Sequence, residues 1–149
     1  MRGRKYTGKW MTGYIKGWLM TEPVLFVKKD GAYPEDPEDM MIRMNDLMVK
    51  ERFFKNPDLT IGQLCMETNT NRAYLSRSIH RTFGSNFSKW VNLFRIEEAK
   101  RLMRQRPEKK MDLFDLAIEC GFNSVRSFSR VFKAKESCTP KQYLRNVKK

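Results

Sequence analysis

TNTNRAYLSRSIHRTFG (residues 68–84) and CGFNSVRSFSRVFKAKES (residues 120–137) are two versions of one phrase, about fifty residues apart. Aligning Thr60 with Asp112, an offset of 52, brings the copies into register. Ile61 then faces Leu113, Leu64 faces Leu116, Cys65 faces Ala117, Asn69 faces Gly121 and Asn71 faces Asn123. Each pairing has a physical reason. Thr60 and Asp112 are N-cap residues, and Gln63 completes a capping box with Thr60. Cys65 and Ala117 are small enough for a second helix to cross closely. Asn69 and Gly121 are the residue types that most readily adopt φ > 0 in a tight turn. Asn71 and Asn123 are expected to cap the helix that follows. After one extra residue in the second copy the offset becomes 53, so Leu75-Ser76-Arg77 meets Phe128-Ser129-Arg130 and Ile79 meets Phe132.

Each copy therefore reads as helix, short turn, helix, with an apolar rib at 75 and 79 or at 128 and 132. That is the helix-turn-helix pattern, whose second helix enters a DNA major groove. A generic helical hairpin repeat would share the periodicity, but solenoids usually need about three repeats or more. With the ribs buried, Arg72, Ala73, Ser76, Arg77 and His80 point outward from the first reader helix. Arg126, Ser129, Arg130 and Lys133 point outward from the second. No outward position between these limits is acidic.

Residues 87–105, FSKWVNLFRIEEAKRLMRQ, connect the copies, with Trp90, Val91, Phe94, Ala99, Leu102 and Met103 as apolar content. A helix of this length spans ~28 Å, comparable to the ~34 Å between successive major-groove faces of B-DNA. Upstream, Met41, Met44, Leu47 and Met48 form a helical stripe expected to end near Phe54 before the turn at Asn56-Pro57. No segment after residue 39 alternates as a strand would, so the expected class is all-α.

Bulk composition agrees. The chain has 149 residues and a net charge of +13. The excess sits after Asp39: residues 1–39 carry 7 basic and 6 acidic side chains, and the rest carry 23 and 11. Such a field favours a polyanionic partner. Residues 1–39 read as a basic, aromatic arm followed by an acidic Pro-containing linker, and residues 40–149 as the domain. The longest apolar run, Val24–Val27, is four residues, against the ~20 of a spanning helix. Cys65, Cys120 and Cys138 have neither disulfide nor zinc spacing and are expected to be small core residues. One histidine and no nucleophile–base set argue against an enzyme, and no cofactor or metal is expected. The carboxylates at 97 and 98 read as surface charges beside Lys100 and Arg101.

The stretch Ala117-x-x-x-Gly121-Phe122-x-Ser124-x-x-x-Phe128-Ser129-Arg130-x-Phe132-Lys133, continuing to Thr139-Pro140-x-x-Tyr143, resembles the signature of AraC/XylS-type transcription regulators. So do Leu75-Ser76-Arg77, Gly84, Phe87 and Arg95-Ile96-x-x-Ala99-x-x-Leu102. The resemblance covers about residues 40–147. It implies seven helices arranged as two helix-turn-helix units on a long linker helix. It also implies cytoplasmic, nucleoid-associated regulation of transcription, with promoter DNA bound by a monomeric reading unit. Contact with RNA polymerase is a further expectation of the family, though no residue here marks the surface.

The chain departs from the family at Ser137, where glycine is usual, and in having only 39 residues where many members carry a sensor domain. It reads either as a minimal regulator or as the end of a longer one. In the family's terms Arg77 and Arg130 sit mid-reader, where arginine can bond guanine O6 and N7. The alternative is a phosphate contact, or an internal pair with Glu67 or Glu119. His80 and Lys133, one turn on, suit phosphate. Phe122, Phe128, Phe132, Ile79, Tyr143 and Trp90 read as core, and Tyr74 as either shelf or groove wall. The competing function is non-specific binding of nucleic acid or an anionic membrane by a basic helical protein.

Overall fold

Met44, residues 46–105 and residues 112–147 are described by the structure, a computed structural model. The expectations for the arm at 1–39 and for Met41 lie outside these residues. Seven helices account for the described chain, with no strand among them. They are α1 (44 and 46–49), α2 (Ile61–Glu67), α3 (Arg72–Phe83), α4 (Phe87–Gln105), α5 (Leu113–Glu119), α6 (Val125–Glu136) and α7 (Pro140–Val147). A single 3-10 turn, Phe53–Lys55, lies between α1 and α2.

The first helix is shorter than its stripe suggested. It stops at residue 49, and Arg52 then takes a left-handed conformation (φ 56°) that no α-helix tolerates. The stripe itself is buried at Met44, Leu47 and Met48. Phe54, expected at the helix end, instead projects inward from the 3-10 turn.

Local chemistry starts α2 and α5 where expected. Gln63 N–H donates to Thr60 Oγ1 (3.3 Å) and Thr60 N–H donates to Gln63 Oε1 (2.8 Å), which completes the capping box. Asp112 Oδ1 accepts from Phe114 N–H (2.8 Å) at the start of α5. Thr139 and Gln142 repeat the reciprocal pair at α7.

The two turns match bond for bond. Thr70 N–H donates to Cys65 O (3.0 Å), and Phe122 N–H donates to Ala117 O (2.9 Å). Asn69 and Gly121 both have positive φ, 49° and 89°. The register slips at the next residue. Asn71 caps α3 through Tyr74 N–H (2.9 Å), but α6 is capped by Ser124, not by Asn123. Ser127 N–H donates to Ser124 Oγ (3.2 Å). The extra residue of the second copy is thus spent in the turn before the cap, which leaves Asn123 exposed.

The second unit packs Ile96, Ala99, Leu102 and Met103 of α4 against Leu116, Ala117, Cys120, Phe122, Phe128 and Phe132. Phe128 and Phe132 are fully buried, each worth roughly 2–3 kcal/mol of apolar transfer. Rings at 122, 128, 132 and 143 follow one another at 5.3, 5.6 and 5.5 Å. In the first unit α2 packs on α3 and α3 on α4. Leu64, Leu75 and Ile79 are fully buried there. Trp90 meets Phe83 at 5.7 Å and Phe94 at 5.3 Å. Cys65 and Cys120 are buried as expected, whereas Cys138 is half-buried beside the second core.

Both reader helices end in a left-handed residue. Gly84 (φ 61°) donates its N–H to His80 O, and Ser137 (φ 58°) donates its N–H to Lys133 O. Glycine is free of the Cβ penalty that serine bears in this conformation. Ser137→Gly is therefore expected to stabilise the domain by about 1 kcal/mol, raising the thermal midpoint by roughly 4–8 °C. Calorimetry of the two chains checks this, and an unchanged or lower midpoint rejects it.

Candidate nucleic-acid interface

α3 and α6 bury one face and expose a basic one. Leu75 and Ile79 anchor α3, and Phe128 and Phe132 anchor α6, all at 0% exposure. Opposite these ribs Arg72, Ala73, Ser76, Arg77 and His80 are exposed, as are Arg126, Arg130 and Lys133. Ser129 departs slightly, being half-buried. Arg81 is also exposed and extends the basic face of α3. Acidic residues of each unit sit largely on the other helix: Glu67 on α2, Asp115 and Glu119 on α5. No ion pair among the described residues engages Arg126, Arg130 or Lys133. Arg77, Glu67 and Glu119 each keep an interaction within the chain.

The readers are mounted on α4, whose 19 residues match the expected connector. α3 packs on it from one unit, α6 and α7 from the other. Trp90, Val91, Ala99, Leu102 and Met103 are buried as anticipated, and Ile96 joins them. Phe94 is only half-buried. Tyr143 closes the second unit from α7, with its ring against Phe132 and its hydroxyl accepting from Arg104 Nη1 (3.0 Å). Tyr74 is half-buried, and its main-chain carbonyl accepts from the buried Ser78 hydroxyl (2.9 Å).

One charge expected on the surface is not there. Glu98 is 7% exposed and gathers three cations. Arg101 Nε lies 2.7 Å from its Oε2, while Arg52 Nη1 and Lys55 Nζ each lie 3.1 Å from its Oε1. The bond from Arg101 is the largest influence on its acidity. With the Lys55 bond and both charges, it outweighs burial and lowers the pKa from 4.5 to about 2. The physical reason is position. Val91, Arg95, Glu98 and Leu102 form an i, i+4, i+7, i+11 stripe whose apolar ends are buried, so the two charged residues between them lie on the inner side of α4. That stripe was readable in the sequence, as was Arg101 three residues on, but two of the three cations around Glu98 come from residues 52–55, far along the chain.

Arg95 fills the same stripe. Its Nε donates to Phe54 O (2.8 Å), its Nη2 to Asn56 O (2.8 Å), and its guanidinium lies 5.6 Å from the Phe122 ring centroid. Burial lowers its pKa, yet a guanidinium remains a cation. Elsewhere, Lys100 joins α4 to α6 through Glu136 (3.1 Å) while also holding Glu97 (3.1 Å). Burial, foremost, pushes the Cys120 thiol up to about 12, with the nearby Glu98 and Glu119 charges acting in the same direction. That thiol is structural rather than reactive.

No group of three or more His, Cys, Asp or Glu suited to a metal ion occurs among the described residues. No helix among them is long and apolar enough to cross a membrane.

Residues 64–146 match the family model described as a helix-turn-helix domain. Uncharacterized HTH-type transcriptional regulators of Staphylococcus aureus are 34% identical over 86 residues, which is 58% of this chain and 11% of theirs. The chain thus spans about a tenth of the length of those relatives. Among solved structures, a Chromobacterium violaceum transcriptional regulator of the AraC-type DNA-binding domain-containing proteins superposes with a TM-score of 0.62. It is 18% identical and covers 74% of this chain and 93% of that one. The DNA-binding domain of AdpA, a global transcriptional factor solved with a target DNA, superposes at 0.61 and 18% identity, over 75% of this chain and 93% of that one. These last two are likenesses of fold.

Because the folded pKa of Glu98 lies below its ordinary value, its contribution to stability is present above about pH 4.5 and is lost as pH falls toward 2. Glu98→Gln should destabilise the domain at pH 7 by about 2–3 kcal/mol and flatten the acid limb of the stability curve. Denaturant titrations from pH 7 to pH 2 measure this. Equal acid slopes for the two chains would show that folding does not lower the pKa of Glu98.

Proposed function

The chain belongs to the AraC-type helix-turn-helix family, and from that premise we propose that it binds specific duplex sites and regulates transcription by seating α3 and α6 in successive major grooves. The observation that carries this reading is the doubled unit itself. Two reader helices, each with a 0%-exposed rib and an exposed basic face, are mounted on one 19-residue helix. A helix that long reaches ~28 Å, close to one DNA turn of ~34 Å. Dimeric repressors obtain that spacing by pairing two subunits; here the internal repeat supplies both readers, so the reading unit is a monomer.

Roles follow from position. Arg72 and Arg126 stand in the first turn of each reader, where the helix enters the groove. Arg130 is exposed without an ion pair among the described residues and suits bidentate recognition of guanine. Arg77 occupies the matching place in α3, where it also keeps an interaction inside the chain. Ala73, Ser76 and Ser129 are short and permit close approach. His80 and Lys133, one turn onward, suit the phosphate backbone. The region 40–149 would act as the DNA-binding domain, with promoter DNA as its partner and RNA polymerase as a second. The second reader should dominate, because Arg126 stands where the first reader has Ala73.

In vitro selection of bound duplexes followed by footprinting tests the reading. Two protected grooves one turn apart are expected, with affinity falling steeply as salt rises. Equal affinity for all sequences at physiological salt would leave only a non-specific basic domain. Arg130→Ala should relax base preference at one position by about 1–3 kcal/mol. Lys133→Ala should instead weaken all sequences alike and reduce the salt slope by about one. Indistinguishable specificity profiles for these two variants would reject the assignment.

A further inference from the structure

Residues 52–56 run as a strap between the two units. α4 holds one side of it. Arg95 donates to the carbonyls of Phe54 and Asn56, Glu98 pairs with Arg52 and Lys55, and the Phe54 ring stacks on Phe94 at 6.2 Å. The turn between α5 and α6 closes on it from the other side. A Cβ built at Gly121 would lie 2.4 Å from Phe54 O and 2.9 Å from Lys55 Cα. Backbone meets backbone there, at the pivot of the second unit.

The strap continues through the Thr60 cap into α2, so by connectivity it belongs to the first unit. Arg95 consequently bears on three parts at once: α4 carries it, the strap receives its hydrogen bonds, and Phe122 of the second unit lies under its guanidinium. α3 and α6 have their own caps and ribs. What the contact restricts is how one unit is set against the other.

We infer that Arg95 is a positioning residue that fixes the relative setting of the two readers, and through it the number of base pairs the chain accepts between its half-sites. This rests on the two-groove reading proposed above. One base pair added between half-sites rotates them by about 34° and separates them by about 3.4 Å. A firmly braced pair of readers cannot follow that change, whereas a loosened pair can.

The test compares affinity for a selected site with affinity for the same site carrying one added or one deleted base pair, in the full chain and in Arg95→Met. Because the readout is a ratio within one protein, a general loss of stability cancels. The unaltered chain should lose on the order of 100-fold in affinity on the altered sites, and Arg95→Met less than about 10-fold, with the base preferences of each half unchanged. Arg95→Lys keeps the charge but lacks the planar fork that spans two carbonyls, and should behave like Arg95→Met. If neither variant is folded, Arg52→Ala decides. Its side chain is 48% exposed, and its loss frees one end of the strap, so the spacing penalty should again fall. Spacing penalties that match the unaltered chain's in every folded variant would overturn the inference while leaving the two-groove reading intact. An unaltered chain indifferent to spacing would instead overturn the two-groove reading, and the inference with it.

Discussion

A buried carboxylate and a half-buried guanidinium, one turn apart on the same side of α4, organise this domain. Glu98 and Arg95 are both drawn inward by the stripe that ends at Val91 and Leu102. Neither could remain there unpaired, because removing a lone charge from water costs several kcal/mol. Each is satisfied by the same short piece of chain. Glu98 takes Arg52 and Lys55 in addition to Arg101, and Arg95 takes the carbonyls of Phe54 and Asn56. The left-handed Arg52 and the 3-10 turn after it make sense in that light. They bring two side chains and two carbonyls to bear on one face of a helix, a task that a continued α1 could not perform. The strap is shaped by what α4 requires of it.

The repeat has diverged in a physically consistent direction. Both copies keep the small crossing residue, the positive-φ turn, the capped second helix and the buried rib. They differ in what surrounds these parts. The first copy keeps Gly84 after its reader and Asn69 in its turn; the second has Ser137 and Gly121. The second core is aromatic, a run of Phe122, Phe128, Phe132 and Tyr143 in ring contact. The rib of the first is aliphatic, with the aromatic side chains supplied mainly by α4 and its approaches. On the outer faces, α6 presents Arg126, Arg130 and Lys133, while α3 presents Arg72, Arg77 and His80. One architecture therefore offers two unlike surfaces.

Much of this was legible in the sequence because the signals are local. Capping residues, rib spacing and the bounds of α4 depend on neighbours within one or two turns, and the repeat supplied an internal check on each. The misreadings share a cause. Asn123 looked like a cap because the offset was carried one residue too far; the insertion falls in the turn, and nothing in composition marks which residue absorbs it. α1 ends earlier than its apolar stripe suggests because Phe54, which continues the stripe, is buried from a 3-10 turn instead. Glu98 reads as a surface charge beside Arg101, its neighbour three residues on. Its other cations lie more than forty residues away, and no periodicity links them. The residues expected on the reader faces were legible as exposed positions, Ser129 apart, whereas the contacts of residues 52–56 with α4 were not.

Gly121 has a lesson for how such a molecule can change. Its counterpart Asn69 is exposed and bears a side chain in a left-handed turn, while Gly121 is buried against the backbone of residues 54 and 55. The halves descend from one pattern, yet they are no longer interchangeable parts. A segment copied from the first half into the second would carry an atom where the strap already lies. Such an exchange would require the backbone of residues 54 and 55 to give way, so likeness of shape between the halves does not make their sequences exchangeable.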